Sequence, residues 1–330
     1  MATGNTRSPA AAIDRRRWLA AAGALAAGSV LGSRRCSAVD APDPGLLDIH
    51  THLGPMWNDK LPLTAEQLLR WMDAHHVAQA AVLPLVSPES SAFPISTEFV
   101  LAQTRPYRDR LIPFCSVDPR ASYRGGQKGL RKILQSFVDA GAKGFGEHKA
   151  GVSVDDPRSQ PIYEACGELH LPVLFHLDNQ RNMDAPGLPG LEKMLARFPQ
   201  TVFIGHGNGW WASVSGDATA ADLGGYPRGP VAPGGAVDRL MDKYPNIYGD
   251  LSAGSGANAL ARDPKWGREF LIRRADRLLF GTDYLSPDQP IPQFEILERM
   301  QLPDELRRQF GSANAVRLLE LGQREAQASR

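Results

Sequence analysis

Two histidines separated by one residue, His50 and His52, end a short apolar segment over residues 46–52. Side chains alternate between the two faces of a strand, so both imidazoles should point the same way from a rigid base. A pair placed like this can bind one divalent cation. Asp48 shares their face one step earlier, and we expect it to form hydrogen bonds within the fold. Two histidines with this spacing occur by chance in many sequences, so they indicate a metal site only if other segments provide further ligands.

Further side chains of the same chemical kind end later apolar segments: Glu147, His176, His206, Asp250 and Asp283. If these segments are parallel strands of one barrel, their carboxyl ends converge on a single mouth. Two or three imidazoles with carboxylate oxygens suit Zn²⁺, with Mn²⁺, Fe²⁺ and Co²⁺ as alternatives. An ion that keeps an open coordination position lowers the pKa of bound water to about 7 and yields hydroxide at neutral pH. The sequence therefore predicts a divalent metal centre able to activate water.

The elements that must position these residues follow from apolar segments that alternate with helical patterns. The apolar segments predict eight strands, at residues 46–52, 78–85, 110–118, 142–149, 171–178, 201–207, 246–252 and 277–284. Helical patterns lie between and after them, near residues 64–76, 96–105, 127–140, 160–169, 188–198, 235–244, 265–274 and from Pro303 onward. Thr64, with Gln67 three residues later, predicts a capping box at the first helix. The alternation predicts a (β/α)₈ TIM barrel in a single α/β domain.

An open, doubly wound sheet is the competing fold. Such a sheet usually has fewer strands and a glycine-rich first turn that binds phosphate, which Leu53-Gly54-Pro55 does not provide. Two long loops interrupt the alternation, at residues 208–234 after strand 6 and 285–302 after strand 8. Both follow the carboxyl ends of strands, where barrel active sites lie, so we expect them to be functional.

Residues 1–38 differ in composition from the rest of the chain. Arg15-Arg16-Arg17-Trp18-Leu19 runs into small apolar residues, and Cys36-Ser37-Ala38 resembles a cleavage site. This pattern predicts a twin-arginine-type signal peptide, against the alternative of a disordered basic tail. A linker at 39–45, the barrel at 46–322 and a tail at 323–330 would follow. The signal predicts export by the twin-arginine export machinery to the periplasm or the extracellular space, with no membrane anchor after its removal.

The overall composition of the 330 residues is that of a globular protein, with 42% hydrophobic and 22% charged residues. Residues 1–38 contain six Arg and one Asp, which leaves 31 basic and 35 acidic residues in the remainder. This mild balance excludes an electrostatic footprint for nucleic acid or a membrane surface. Outside the signal, Cys115 and Cys166 are too few for a disulfide framework. We expect a small-molecule substrate as the partner and leave a homodimer open.

Taken together in strand order, these motifs resemble the amidohydrolase superfamily. The shared features are the histidine pair on strand 1, a carboxylate on strand 4, histidines on strands 5 and 6 and an aspartate on strand 8. Gly281-Thr282-Asp283 and the segment at 314–319 resemble its amidohydrolase-related branch, which contains hydrolases, decarboxylases and hydratases. The resemblance covers residues 46 to about 320 and implies a metal-dependent TIM-barrel enzyme.

The resemblance also implies roles for individual residues. The metal ligands would be His50, His52, His176 and Asp283. Asp283 would in addition be the general base, and His206 would bind a second metal or act catalytically beside a single one. Many relatives place a carboxylated lysine on strand 4. Here Glu147 could bridge two metals or orient a ligand, and Lys149 is a lesser candidate.

The leading hypothesis is a hydrolase with one or two ions, most simply Zn²⁺, in which metal-activated water attacks an amide, ester or lactone carbonyl. The first alternative is a decarboxylase or hydratase of a small carboxylic acid in the same scaffold. The second is a binding barrel without catalysis. Substrate contacts are expected from Trp210, Trp211, Arg228 and Asp250, where Arg228 would pair with a carboxylate and Asp250 could instead cap a loop. The remaining histidines are interpreted as structural or solvated: His75, His76, His148 and His170.

Overall fold

A computed structural model describes residues 45–57 and 60–321 of the chain. The predicted signal peptide at 1–38, the predicted linker up to residue 44 and the predicted tail at 323–330 lie outside the described residues. No helix within the described ranges is both long enough and apolar enough to cross a membrane. The predicted segment boundaries and the export route stay predictions.

Eight parallel strands carry the fold, one for each apolar segment that was predicted to be a strand. They are β1 (Leu46–Thr51), β2 (Val77–Val82), β3 (Leu111–Pro113), β4 (Phe145–His148), β5 (Val173–His176), β6 (Phe203–His206), β7 (Ile247–Asp250) and β8 (Leu278–Leu279). All eight are shorter than predicted. Most of the candidate ligands therefore lie on the last residues of strands or in the first residues that follow them.

The strands form two sheets and not one continuous ladder. β1, β2 and β3 pair in one sheet, and β4 to β8 pair in sequence order in the other. Isolated bridges join the sheets at two seams, Cys115 with Phe145 on one side and Thr51 with Tyr284 on the other. The α/β barrel architecture is confirmed in strand number, order and direction. The closed ring of strand pairing that the count predicts is not observed.

Helices alternate with the strands as predicted. They are α1 (Ala65–Ala74), α2 (Thr97–Thr104), α3 (Gly126–Asp139), α4 (Gln160–Glu168), α5 (Pro189–Arg197), α6 (Asn208–Ala212), α7 (Ala236–Lys243), α8 (Ala253–Ala261), α9 (Pro264–Arg273), α10 (Pro292–Arg299), α11 (Asp304–Arg308) and α12 (Asn314–Leu318). The capping box at α1 is confirmed. The Thr64 hydroxyl accepts a hydrogen bond from the Gln67 amide at 3.2 Å, and the Gln67 side chain accepts one from the Thr64 amide at 2.9 Å.

Both long loops contain helices that the sequence did not predict. The 208–234 segment begins with α6, and the 285–302 segment contains α10. Proline at the first turn of α10 is compatible with a helix, because the amide that it lacks would have no partner within the helix. Helix α8 was also missed, since the two glycines, the serine and the asparagine in its sequence have weak helix propensity.

A buried apolar cluster fills the space between the strands. It draws on six of the eight strands and on the residues directly after them: Leu47, Ile49, Ala81, Leu83, Ile112, Phe114, Leu174, Ile204 and Leu279. Two larger clusters join the strands to the surrounding helices. This is the filled interior of a packed barrel, which leaves chemistry to its carboxyl end.

Asp48 links β1 to the segment after β8, at one of the two seams. Its carboxylate accepts hydrogen bonds from the Thr282 hydroxyl at 2.5 Å and from the Thr282 amide at 3.0 Å. It also accepts one from the amide of His50 at 3.0 Å. Burial raises the pKa of Asp48 to about 7, although these hydrogen bonds act in the opposite direction. The predicted hydrogen bonding of Asp48 is confirmed.

Thr282→Val should lower the free energy of unfolding by about 1–3 kcal/mol, because it leaves the buried Asp48 carboxyl without its hydroxyl donor. Thr219→Val is a matched control. The Thr219 hydroxyl also donates to a carboxylate, that of Asp222, but at an exposed position where its removal should cost under about 0.5 kcal/mol. Denaturant unfolding of both variants measures the difference, and equal losses would contradict this role for Asp48.

Candidate metal centre

The inner ring nitrogens of His50 and His52 meet at the carboxyl end of the strands. Their Nε2 atoms lie 3.0 Å apart, as the alternation of side chains along the strand predicts. Asp283 approaches them from the loop after β8, with Oδ1 3.6 Å from His50 Nε2 and 3.4 Å from His52 Nε2. The ligand atoms of these three residues are close enough to share one ion.

A second group of ligand atoms lies beside the first, and Glu147 faces both groups. Its Oε1 atom lies 2.8 Å from His176 Nδ1 and 3.8 Å from His206 Nε2. Its Oε2 atom lies 3.9 Å from His50 Nε2 and 3.5 Å from His52 Nε2. Glu147, His176 and His206 also meet the distance requirement for sharing an ion. The carboxylate therefore lies where a bridging ligand would lie.

Asp250 on β7 holds the outer ring nitrogens of two histidines. Its Oδ2 atom accepts a hydrogen bond from His50 Nδ1 at 2.7 Å and lies 3.0 Å from His206 Nδ1. The Ser252 hydroxyl lies 2.9 Å from the same His206 nitrogen and donates to Asp250 Oδ2. Burial would raise the pKa of Asp250, but the hydrogen bonds from His206 and His50 lower it below its ordinary value.

The outer nitrogens of the other two histidines have acceptors as well. His52 Nδ1 lies 2.8 Å from the Leu83 carbonyl oxygen, and His176 Nε2 lies 3.0 Å from Asp178 Oδ2. Carbonyl and carboxylate oxygens only accept, so each outer nitrogen carries a proton, and the inner nitrogen is the atom that can bind an ion once it carries no proton. The inner nitrogens of the four imidazoles are thereby directed at one small volume.

The charged groups of this cluster strongly shift one another's pKa values. Burial would raise the pKa of Glu147, but Lys149 and His176 lower it well below its ordinary value. Burial would likewise raise the pKa of Asp283, but His50 and His52 lower it to about 2. The cluster thus holds anionic oxygens beside imidazole nitrogens in a largely buried volume. This donor set fits a divalent ion such as Zn²⁺.

The cluster is open to solvent near Asp283 and His176. Their side chains are 17% and 10% exposed, whereas the side chains of His50 and Glu147 are fully buried. Asp283 has a left-handed backbone with φ of 57°, which is uncommon for a residue other than glycine. Its amide donates to the His50 carbonyl at 2.8 Å, which holds the turn in place. A substrate must approach from this side.

The predicted substrate contacts are placed differently. Trp210 and Trp211 lie in the hydrophobic core and not on a pocket wall. The Trp210 ring lies against Gly205, where a Cβ atom would come within 2.3 Å of it, and the Trp211 indole donates to the Asp250 carbonyl at 3.0 Å. Asp250 itself is fully buried and orients histidines, so it does not meet substrate. Arg228 is exposed to solvent.

Lys149 directly follows β4, and its Nζ lies 3.3 Å from both Glu147 oxygens. The intervening His148 points the other way, is buried and packs edge-on against Tyr163, and burial lowers its pKa to about 4. The three other histidines that were interpreted as structural or solvated are exposed: His75, His76 and His170.

Asp178 and Ser252 were missed as partners of the candidate ligands. Each lies two residues after a residue that was singled out, Asp178 after His176 and Ser252 after Asp250. Alternation along a strand places such residues on one side, and this spacing was the available signal.

Comparison with known proteins agrees with this architecture. Among solved structures, an uncharacterized TIM-barrel protein from Bordetella bronchiseptica is 19% identical, with a TM-score of 0.59 over 86% of this chain and 99% of its own. A probable 2-pyrone-4,6-dicarboxylic acid hydrolase from Acinetobacter baumannii is 12% identical, with a TM-score of 0.55 over 84% of this chain and 100% of its own. A 2,6-dihydroxybenzoate decarboxylase from Rhizobium is 18% identical, with a TM-score of 0.51 over 84% of this chain and 99% of its own. At these identities the likeness concerns the fold.

No curated protein sequence matches the chain. A family model described as amidohydrolase matches residues 47–321, which confirms the resemblance inferred from the sequence motifs. The chain belongs to the amidohydrolase family.

Proposed function

We propose that this chain is a metal-dependent hydrolase that cleaves an amide, ester or lactone bond of a small molecule. The observation that carries the proposal is the position of Glu147, whose two oxygens face two separate groups of ligands. Such an arrangement supports a cluster of two ions, which suits the activation and delivery of water. Zn²⁺ is the proposed ion because imidazole nitrogen predominates among the donors.

The proposed ligands divide between two positions. His50, His52 and Asp283 would hold one ion, and His176 with His206 would hold the other, with Glu147 shared between them. Bound divalent ions supply Lewis acidity, which lowers the pKa of water and polarises a substrate carbonyl.

Asp283 is the proposed general base. It is the most exposed carboxylate of the cluster, and its low pKa keeps it ionised at neutral pH, so its oxygens are free to accept a proton from water. After accepting a proton from water, its carboxyl can donate that proton to the leaving group on the open side. The buried histidines behind Asp283 keep bulk water away from the reacting atoms on that side.

A decarboxylase is the second candidate, since one solved structure that shares the fold is a 2,6-dihydroxybenzoate decarboxylase. Two sets of compounds, incubated with the zinc-loaded protein, separate the two reactions. The first panel contains lactones, esters and amides, and the second contains aromatic carboxylic acids. A hydrolase should release acid from lactones, esters or amides, which a pH-stat records. Release of CO₂ from aromatic carboxylic acids without hydrolysis of the first panel would reverse the proposal.

The double variant His50→Ala/His52→Ala should lose bound zinc and activity, because two of the proposed ligands are removed. The parent should hold about two zinc ions per chain. His170→Asn is the matched control, since this histidine is exposed and asparagine tolerates its left-handed backbone. Plasma mass spectrometry measures the metal. A double variant that keeps both metal and turnover would contradict the proposed site.

Asp250→Asn should weaken zinc binding by about 10–100-fold, because an amide no longer fixes the protons of both His50 and His206 on their outer nitrogens. Asp263→Asn is the control, since Asp263 caps α9 and asparagine caps a helix equally well. Competition with a chromophoric chelator measures the affinity. Equal weakening in both variants would argue against an orienting role for Asp250.

Zinc binding should release a proton below about pH 9. Burial would lower the pKa of His52, but Asp283 and Glu147 outweigh it and raise the pKa to about 9. A protonated imidazole has no lone pair for the ion, so affinity should rise with pH and level off above this value. Calorimetric titration in buffers of different ionisation enthalpy measures the released proton. A binding enthalpy that is independent of the buffer would contradict this protonation state.

A further inference from the structure

Lys149 is a positively charged residue that lies beside the candidate metal centre, where divalent cations would bind. Its side chain is only 13% exposed and lies on the same side of the chain as Glu147, at the mouth of the barrel. Positive charge at this position repels a bound metal ion and so lowers its affinity. In a site filled with metal ions, this charge is therefore stabilised best by an additional anion nearby.

The contact between Lys149 and Glu147 is loose for a charged pair. Nζ lies 3.3 Å from each carboxylate oxygen, whereas charge-assisted hydrogen bonds of this kind usually measure about 2.7–2.9 Å. If Glu147 shares its charge with two ions, as the proposed function requires, Lys149 loses its counter-charge. The ammonium group then needs another anion.

The neighbouring carboxylates are already engaged elsewhere. Asp178 accepts hydrogen bonds from His176, from two backbone amides and from Arg181. Glu89 forms a bidentate ion pair with Arg120 and accepts a hydrogen bond from the amide of Gly151.

Asp118 pairs with Arg120 as well, at 2.7 Å. None of these three described carboxylates, Asp178, Glu89 and Asp118, contacts Lys149, whose side chain reaches solvent at the mouth of the barrel. An anion from outside the protein can therefore serve as its partner.

We propose that Lys149 binds a carboxylate of the substrate, which makes the substrate a small molecule that carries a carboxylate besides its scissile bond. This inference rests on the proposed function, because the surplus charge of Lys149 arises when the metal site is filled. It assigns to Lys149 the carboxylate contact that the sequence had suggested for Arg228. The ammonium group is a compact, flexible donor, which suits a carboxylate that arrives from the open side.

The test compares Lys149→Met with the parent and with Lys193→Met. Lys193 also pairs with a carboxylate, that of Asp155 at 3.1 Å, but at an exposed site on α5. Calorimetry of the zinc-loaded proteins uses acetate, succinate and benzoate as probes, with acetamide and benzamide as neutral counterparts. Lys149→Met should bind the carboxylates about tenfold or more weakly, the loss of one charged hydrogen bond, with the amides unchanged. Lys193→Met should match the parent.

Zinc affinity provides a second readout that does not depend on activity. Lys149→Met should bind zinc as tightly as the parent or more tightly, because a repelling charge is removed. Weaker zinc binding would make Lys149 a structural partner of Glu147 and would overturn the proposal. Unchanged carboxylate binding in the variant, or no carboxylate binding by the zinc-loaded parent at millimolar concentration, would overturn it too. A parent that binds no zinc would instead refute the proposed function.

Discussion

Four imidazoles and two carboxylates can share one buried volume only if positive charge lies among them. The carboxylate of Glu147 is fully buried and that of Asp283 is largely buried, and leaving a buried carboxylate uncompensated would cost several kcal/mol. In the chain without an ion, a proton on His52 and the ammonium group of Lys149 supply the charge. Most features of the carboxyl end of the barrel can be understood as consequences of this requirement.

The residues behind the histidines determine what the cluster can bind. Asp250 faces His50 and His206 at once, and the indole of Trp211 donates a hydrogen bond to the backbone carbonyl of Asp250 itself. Because a single carboxylate serves two rings, a disturbance on β7 reaches ligands on β1 and β6 together. The long segment after β6 therefore contributes to the site from the core, through Trp211, although it was expected to contribute from the surface.

Much of this site could be predicted because it depends on simple periodicity. The spacing of His50 and His52 and the ends of parallel strands locate the candidate ligands without any tertiary information. Trp210 and Trp211 could not be placed in this way, since an aromatic pair after a strand can face either core or solvent. Helix α8 was missed because packing overrode the weak propensity of its glycine and serine residues. Helix α10 was missed because prolines precede it and begin it in the sequence. The contact between Lys149 and Glu147 depends on a side-chain conformation that no sequence pattern reports.

The interruption of strand pairing at two seams has a consequence for how the fold is held together. His50 belongs to the sheet of three strands, whereas Glu147, His176 and His206 belong to the sheet of five. Two metal ions bound by these residues would connect the two sheets where the backbone hydrogen bonding between strands is interrupted. Part of the free energy of ion binding would then appear as resistance to unfolding. The same ligands would act as a cross-link that completes the ring, so loading with metal and maturation of the barrel would be one event.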